Sequence, residues 1–286
     1  MKKLFSAVLI FLFMVCACAC VRESGVHGEI RSEAVGQSAS VKLPILMYHS
    51  ILNSRKGRYI VSEAQFENDM KMLAENGFTT VTADEITAFA EGAGELPKKP
   101  VLITFDDGHY NNMSYGVPIL EKYNMKALFN IVGSFSEYSS TSGDHSNPNY
   151  SHMTWEQIGE LAAGGTVCFG NHSYNMHKFK PRYGIARKTG ESMEQYVNAL
   201  TDDTMRLQEK LFDACGYMPR VYAYPFGKYD DAGREVLEKL GFKMFLTCNE
   251  GVSAVTFGDT KSIKQLRRIN REGGYSTAEV MKRISL

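Results

Sequence analysis

Val101-Leu102-Ile103-Thr104-Phe105-Asp106-Asp107-Gly108 is an apolar, β-branched run that stops on two carboxylates and a glycine. The run predicts a strand over 101–105, and along a strand successive side chains point to opposite faces. Two adjacent aspartates therefore share one cavity only where the strand gives way to a turn, and Gly108 tolerates the backbone angles of such a turn. Further along, His172-Ser173-Tyr174-Asn175-Met176-His177 supplies two imidazoles. Two neutral imidazoles and one carboxylate make a three-ligand set that leaves positions open for water and substrate, as catalytic zinc requires. The other aspartate of the pair then stays free for protons.

Outward from that run, short apolar segments rich in β-branched and aromatic residues alternate with helical patterns, which argues for parallel strands covered by helices. The predicted strands are 44–49, 78–81, 101–105, 127–132, 167–169, 221–224, 243–247 and 265–269. The expected fold is thus α/β, an irregular (β/α) barrel of seven or eight mostly parallel strands. In such a barrel reactive groups gather at the carboxyl ends of the strands, and Asp106, Asp107, His172 and the Tyr224-Pro225-Phe226-Gly227 stretch each follow a predicted strand.

Ser62 with Gln65, and Thr154 with Gln157, have capping-box spacing and open two helices. Val197, Leu200, Thr204, Leu207 and Leu211 form one stripe on a long helix that ends before Gly216. Residues 134–153, heavy in serine, asparagine and glycine, read as a loop that either walls a groove or is a surface excursion. No repeat and no low-complexity tract interrupts residues 43–286, which are expected to form one catalytic domain.

Residues 1–20 have Lys2 and Lys3, then an apolar run of about a dozen residues, short of the roughly 20 that span a bilayer, then small residues and cysteines. This predicts an export signal, with an uncleaved membrane anchor as the alternative. Val15-Cys16-Ala17-Cys18 resembles the lipobox of bacterial lipoproteins, with Cys18 the first choice for acylation and Cys20 the second. Residues 21–42 lack the periodicity of a packed element and read as a flexible tether to the outer face of the cytoplasmic membrane. Cys168, Cys215 and Cys248 have no Cys-x-x-Cys spacing, so a disulfide framework is not expected and small buried side chains are.

Lysine plus arginine number 32 and aspartate plus glutamate 32 among 286 residues, with no basic run beyond pairs. Nothing here offers a nucleic acid the phosphate-neutralising stripe that its binding requires.

Thr104-Phe105-Asp106-Asp107-Gly108 matches the first motif of the polysaccharide deacetylases, carbohydrate esterase family 4, and the chain resembles that family over nearly all of residues 43–286. The resemblance implies a hydrolase of N-acetylated polysaccharide in which Asp106 is the general base and Asp107 a ligand of a divalent metal, zinc first among the candidates. Most members space their two histidine ligands four apart, whereas His172 and His177 are five apart. That excludes one face of a regular helix and implies a looped segment. The branch that deacetylates poly-β-1,6-N-acetylglucosamine shares this wider spacing and opens on a strand ending in Tyr-His, as Leu46-Met47-Tyr48-His49 does. In that branch the general acid has moved to the front of the domain, and no histidine follows His177 here, so the role falls to His49. Its alternative is a core histidine satisfied by a backbone carbonyl.

Ala223-Tyr224-Pro225-Phe226-Gly227 resembles the third motif, without its usual arginine. It implies that the Phe226 N–H helps to hold the oxyanion, with Tyr224 and Pro225 beside the substrate. Arg220 is a candidate to orient Asp106, or else a surface arginine. Arg268 is a candidate partner of a carboxylate, or else solvated. Trp155 is expected to pack, with a sugar platform as the alternative; His109 is the competing ligand, and His145 and His152 are expected to be exposed. Rival functions are a peptidoglycan deacetylase, a non-catalytic carbohydrate-binding protein, and a non-haem iron oxygenase, which uses the same ligand types but leaves the second aspartate unexplained.

Overall fold

A strand buried along its whole length must be covered on both faces, and every residue of Pro100–Phe105 and of Ala127–Ile131 is buried. The computed structural model, which describes residues 39–143 and 145–285, shows how. Its strands are β1 (Ser40–Leu43), β2 (Ile45–Tyr48), β3 (Ser50–Ile51), β4 (Ile60–Val61), β5 (Thr79–Thr80), β6 (Pro100–Phe105), β7 (Ala127–Ile131), β8 (Val167–Asn171), β9 (Val221–Ala223), β10 (Met244–Glu250), β11 (Ser253–Thr256) and β12 (Leu266–Asn270). Its α-helices are α1 (Glu63–Glu75), α2 (Ala83–Ala90), α3 (Val117–Lys122), α4 (Gly133–Ser142), α5 (Trp155–Gly164), α6 (Met193–Cys215), α7 (Asp231–Lys239) and α8 (Thr277–Ile284).

Strands β2, β6, β7, β8, β9, β10 and β12 pair in that order, all parallel, and β12 returns to β2 to close a barrel of seven. The eighth expected strand, β5, pairs only with the start of β6 and stays outside the ring. All eight expected strands exist, with ends displaced by a residue or a few. Two short pairs were not foreseen, β1 with β11 and β3 with β4. The first takes in residues 40–42 at the end of the expected tether, because Val41 and Leu43 pack beside Val255 in the core. The expected export signal and the rest of the tether lie outside the described residues. Among the described residues no helix is long and apolar enough to cross a membrane.

Period-two alternation sorts the barrel residues. Leu46, Tyr48, Ile103, Phe105, Phe129 and Phe169 cluster with Phe66, Met70 and Leu73 of α1, whereas Ile45, Leu102, Leu128, Leu246 and Leu266 share the other cluster. Counting on by two from Leu102, Leu128 and Leu266 gives Thr104 and Asp106, Asn130, and Arg268. The barrel interior is thus apolar at the amino ends of its strands and polar at the carboxyl ends. A separate buried ion pair ties the rim to the helices: Arg271 Nε donates to Asp69 Oδ2 at 2.6 Å, and Tyr48 Oη and Thr277 Oγ1 also donate to Asp69.

The expected capping boxes form at Ser62 with Gln65 and at Thr154 with Gln157, and α6 ends before Gly216 in a left-handed cap. The serine-rich segment 134–153 is the main correction, since its first half is helix α4. Helix propensity is poor there, and tertiary anchors replace it: Ser136 and Ser139 are buried, and Glu137 accepts from Trp155 Nε1 at 2.9 Å. Trp155 is engaged in that bond and under Lys210, which answers its expectation as a packing residue. The three cysteines among the described residues are free thiols, Cys168 and Cys215 half-buried, but Cys248 is exposed rather than buried because it stands toward the carboxyl end of β10, at the mouth of the barrel.

Candidate metal centre

Asp107 departs from the strand alternation through its own backbone. Its φ is +75° and that of Gly108 +74°, so two successive left-handed residues end β6 and turn the Asp107 carboxylate to the same cavity as Asp106. Asp107 Oδ1 lies 3.3 Å from His177 Nε2 and 3.7 Å from His172 Nε2, and one donor atom from each of the three falls within 4.8 Å of the others. His172 Nδ1 is 2.7 Å from the Ala223 carbonyl, which fixes Nδ1–H as donor and turns Nε2 toward Asp107. Burial, with His172 next, pushes His177 down to about 4, so that ring is neutral at pH 7. Burial would raise the Asp107 pKa, but the surrounding histidines, His49 foremost, hold it below its usual value.

These three residues fit a divalent cation. Asp107 Oδ1 is buried with no hydrogen-bond partner, and Nε2 of His172 and of His177 stands beside it. Two nitrogens and an oxygen are a zinc-type set that other first-row metals also accept. His109, the competing ligand, stands on the other side of the carboxylate, 3.7 Å from Asp107 Oδ2, and stacks on His152. His152 is not exposed as expected: it is wedged between His109 and Phe135, and burial pushes its pKa down to about 3. His145 is exposed.

Asp106 takes no part in that triad. Its carboxylate is 2 % exposed and receives Arg268 twice, Nη1 to Oδ1 and Nη2 to Oδ2, each at 2.8 Å. Asn130 Nδ2 adds a third bond to Oδ1 at 2.8 Å. Burial opposes the charge, yet Arg268 and His172 overrule it and hold Asp106 well below the usual carboxylate range. Of the two candidate arginines, Arg268 is the partner, fully buried in the barrel. Arg220 pairs with Asp84 at the surface, 3.2 Å away.

Asn130 was missed by the sequence reading. Its signal was a lone amide inside the apolar run Ala127-Leu128-Phe129-Asn130-Ile131, on the parity that faces Asp106. It is paired in register with Gly170, where a Cβ would stand 2.3 Å from Asn130 Oδ1, so glycine is needed to admit the amide.

His49 follows β2 and lines the same cavity as the triad, a space of about 600 Å³. Its Nδ1 is buried and without a partner, so no backbone carbonyl satisfies it, and burial holds the ring below its ordinary pKa against the pull of both aspartates. Phe226 has φ +56° and stacks its ring 4.3 Å from both His177 and Phe179. Phe179, Tyr183 and Tyr59, also unforeseen, extend an exposed aromatic lining around the mouth. Tyr224 and Pro225 do not reach the cavity: Tyr224 is fully buried against Tyr229 and Phe245, and Pro225 is buried behind Phe226.

The family model for polysaccharide deacetylase matches residues 93–245. YxkH of Bacillus subtilis is 31% identical over 214 residues, which span 74% of this chain and 67% of that protein. The poly-beta-1,6-N-acetyl-D-glucosamine N-deacetylase of Escherichia coli is 30% identical over 204 residues, 63% of this chain but only 30% of that longer protein. Among solved structures, IcaB from Ammonifex degensii superposes with a TM-score of 0.70 at 26% identity, covering 86% of this chain and 98% of that one. With an ordered pair of carboxylates at the barrel mouth and this breadth of match, the chain belongs to the polysaccharide deacetylase family, hydrolases of the acetamide C–N bond.

Proposed function

We propose that this chain removes acetyl groups from an N-acetylglucosamine polymer outside the cytoplasmic membrane, with a divalent ion, zinc first, held by Asp107, His172 and His177. One observation carries the reading: a second, ionised carboxylate stands beside the three ligand groups and is kept out of their set by Arg268 and Asn130. A binding module needs no such spare base. When bound, the ion supplies Lewis acidity to the acetamide oxygen and lowers the pKa of water to about 7.

The chain's own groups do the rest. Asp106 accepts a proton from the attacking water, and because its pKa is held low it does not keep that proton. His49, neutral at rest, receives it and delivers it to the nitrogen as the C–N bond breaks, so acetate and a free amine leave. The Phe226 N–H is the proposed protein donor to the oxyanion. The exposed rings of Tyr59, Phe179 and Tyr183 offer flat apolar faces to pyranose rings.

Poly-β-1,6-N-acetylglucosamine is the preferred substrate, supported by the five-residue histidine spacing and by His49 at the end of β2; peptidoglycan is the alternative. Acetate should be released from a β-1,6-linked N-acetylglucosamine oligomer, fall to background with a chelator, and return on adding zinc. Release from peptidoglycan fragments alone would overturn the preference, and activity indifferent to chelation would overturn the metal.

The proposed location rests on the lipobox-like residues. Expressed with its first 20 residues, the chain should sediment with membranes and take up labelled fatty acid; Cys18→Ala should lose the label if Cys18 is acylated. Retention of the label would move the anchor to Cys20, and an unlabelled wild type would remove it.

A further inference from the structure

The segment between the two histidines is one residue longer than the family's usual motif, and its backbone is held on both sides. The N–H of Ser173 donates to Asn171 Oδ1 at 2.9 Å. The next two N–H groups, of Tyr174 and Asn175, donate to the two oxygens of Asp203 at 2.8 Å each. From the opposite side the N–H groups of Gly133 and Ser134, opening α4, donate to the carbonyls of Ser173 at 3.1 Å and Tyr174 at 2.7 Å. Ser173 itself is left-handed, with φ +69°, a conformation that a free loop of L-residues rarely keeps.

We propose that Asp203 is a positioning residue for the metal site: by gripping two consecutive amides it sets the backbone between His172 and His177, and thereby the separation of their Nε2 atoms. This rests on the reading of Asp107, His172 and His177 as metal ligands. Asp203 touches no ligand atom itself. It comes from α6, 28 and 29 residues further along the chain, so the grip is tertiary and not a local turn. Two parallel N–H donors one residue apart call for an acceptor with two oxygens at fixed spacing, which a carboxylate supplies and an amide does not. Tyr174 packs closely on the start of α4: a Cβ on Gly133 would stand 2.4 Å from its ring. With that backbone fixed, the Nε2 atoms of His172 and His177 are presented at 3.7 and 3.3 Å from Asp107 Oδ1.

Cobalt(II) titration against a competing chelator measures affinity, and its visible absorption band reports ligand geometry. Asp203→Asn should bind cobalt at least tenfold more weakly and shift the band. Asp203→Glu, with both oxygens, should recover part of the loss. Arg206→Ala, which removes the guanidinium 3.9 Å over the Tyr174 ring but leaves both hydrogen bonds to Asp203 in place, should keep the wild-type affinity and band. Wild-type affinity and spectrum in Asp203→Asn would overturn the proposal, as would an equal loss in Arg206→Ala, which would mean general loosening of the loop. If Asp203→Asn does not fold, Asp203→Glu is decisive: a several-fold weakening supports the grip and unchanged affinity overturns it. A wild-type chain that binds no cobalt is a separate outcome, in which the metal reading fails first and this proposal falls with it.

Discussion

Replacing Asp106 by asparagine should leave the divalent ion in place and lower turnover by about 10²–10⁴-fold, the usual range for loss of a positioned general base. The proposed ligand atoms belong to Asp107, His172 and His177, and none of them is altered. What changes is the only carboxylate of the pair that stands outside that set. Asparagine keeps one carbonyl oxygen for Arg268 but turns an NH₂ toward the other guanidinium nitrogen, and it cannot take a proton. The fold is expected to weaken as well, because Arg268 is fully buried and its charge would lose its counter-ion; breaking a buried pair costs about 3–5 kcal/mol. Turnover must therefore be measured well below the variant's own melting temperature, alongside metal content. A variant that binds metal and still releases acetate within tenfold of wild type would take Asp106 out of the mechanism.

The parts of this molecule that were legible in the sequence are those that follow from local pattern. Strand β6 is a continuous apolar run, as parallel strands covered on both faces are, and the capping boxes at Ser62 and Thr154 carry their own start signals. The triad was legible because the paired aspartates and the histidine segment each follow an apolar run that reads as a strand, so both fall at one end of the barrel. Helix α4 was not, since its serines and threonines favour loops, and what makes them helical is burial of Ser136 and Ser139 and the bond from Trp155, all tertiary. The partner of Asp106 was ambiguous for a related reason. Arg268 and Arg220 are both arginines near strand ends, and only ring closure between β12 and β2 puts one inside the barrel and the other on its surface. Tyr224 shows the reverse: it sits in a family motif, but the turn at Phe226 carries the motif's contact while the tyrosine ring packs in the core.

The Asp203 clamp and the Asp106 pair illustrate one division of labour at the barrel mouth. Residues that touch the proposed ion are few and come from the turn after β6 and the segment after β8. Residues that fix their geometry come from elsewhere: the Ala223 carbonyl on β9 orients His172, Asn130 on β7 and Arg268 on β12 hold Asp106, and α6 holds the loop. Motif matching sees the first group, because each of its members lies in a short contiguous motif. The second group is visible only when strands separated by tens of residues lie side by side.

Removal of the cation from that second group should give the largest loss of stability. In Arg268→Met, of similar length but uncharged, Asp106 would lose its bidentate partner inside the barrel and keep only Asn130. At pH 7 the cost should be about 3–5 kcal/mol, read from urea unfolding of the chelated protein. The pH dependence fixes the cause. In the wild type the folded pKa of Asp106 lies below the unfolded value of about 3.9, so the pair's contribution is complete above that value and is lost as pH falls through the folded pKa. In the variant, burial acts without the arginine and raises the folded pKa above the unfolded one, so the penalty of the bare carboxylate grows as pH rises through the unfolded value and levels off above the raised one. The stability gap between the two proteins should therefore narrow from pH 7 to pH 4, and the acid limb of turnover in Arg268→Met should move to higher pH. A gap of equal size at both pH values would mean that Arg268 stabilises the barrel by packing, independently of the Asp106 charge.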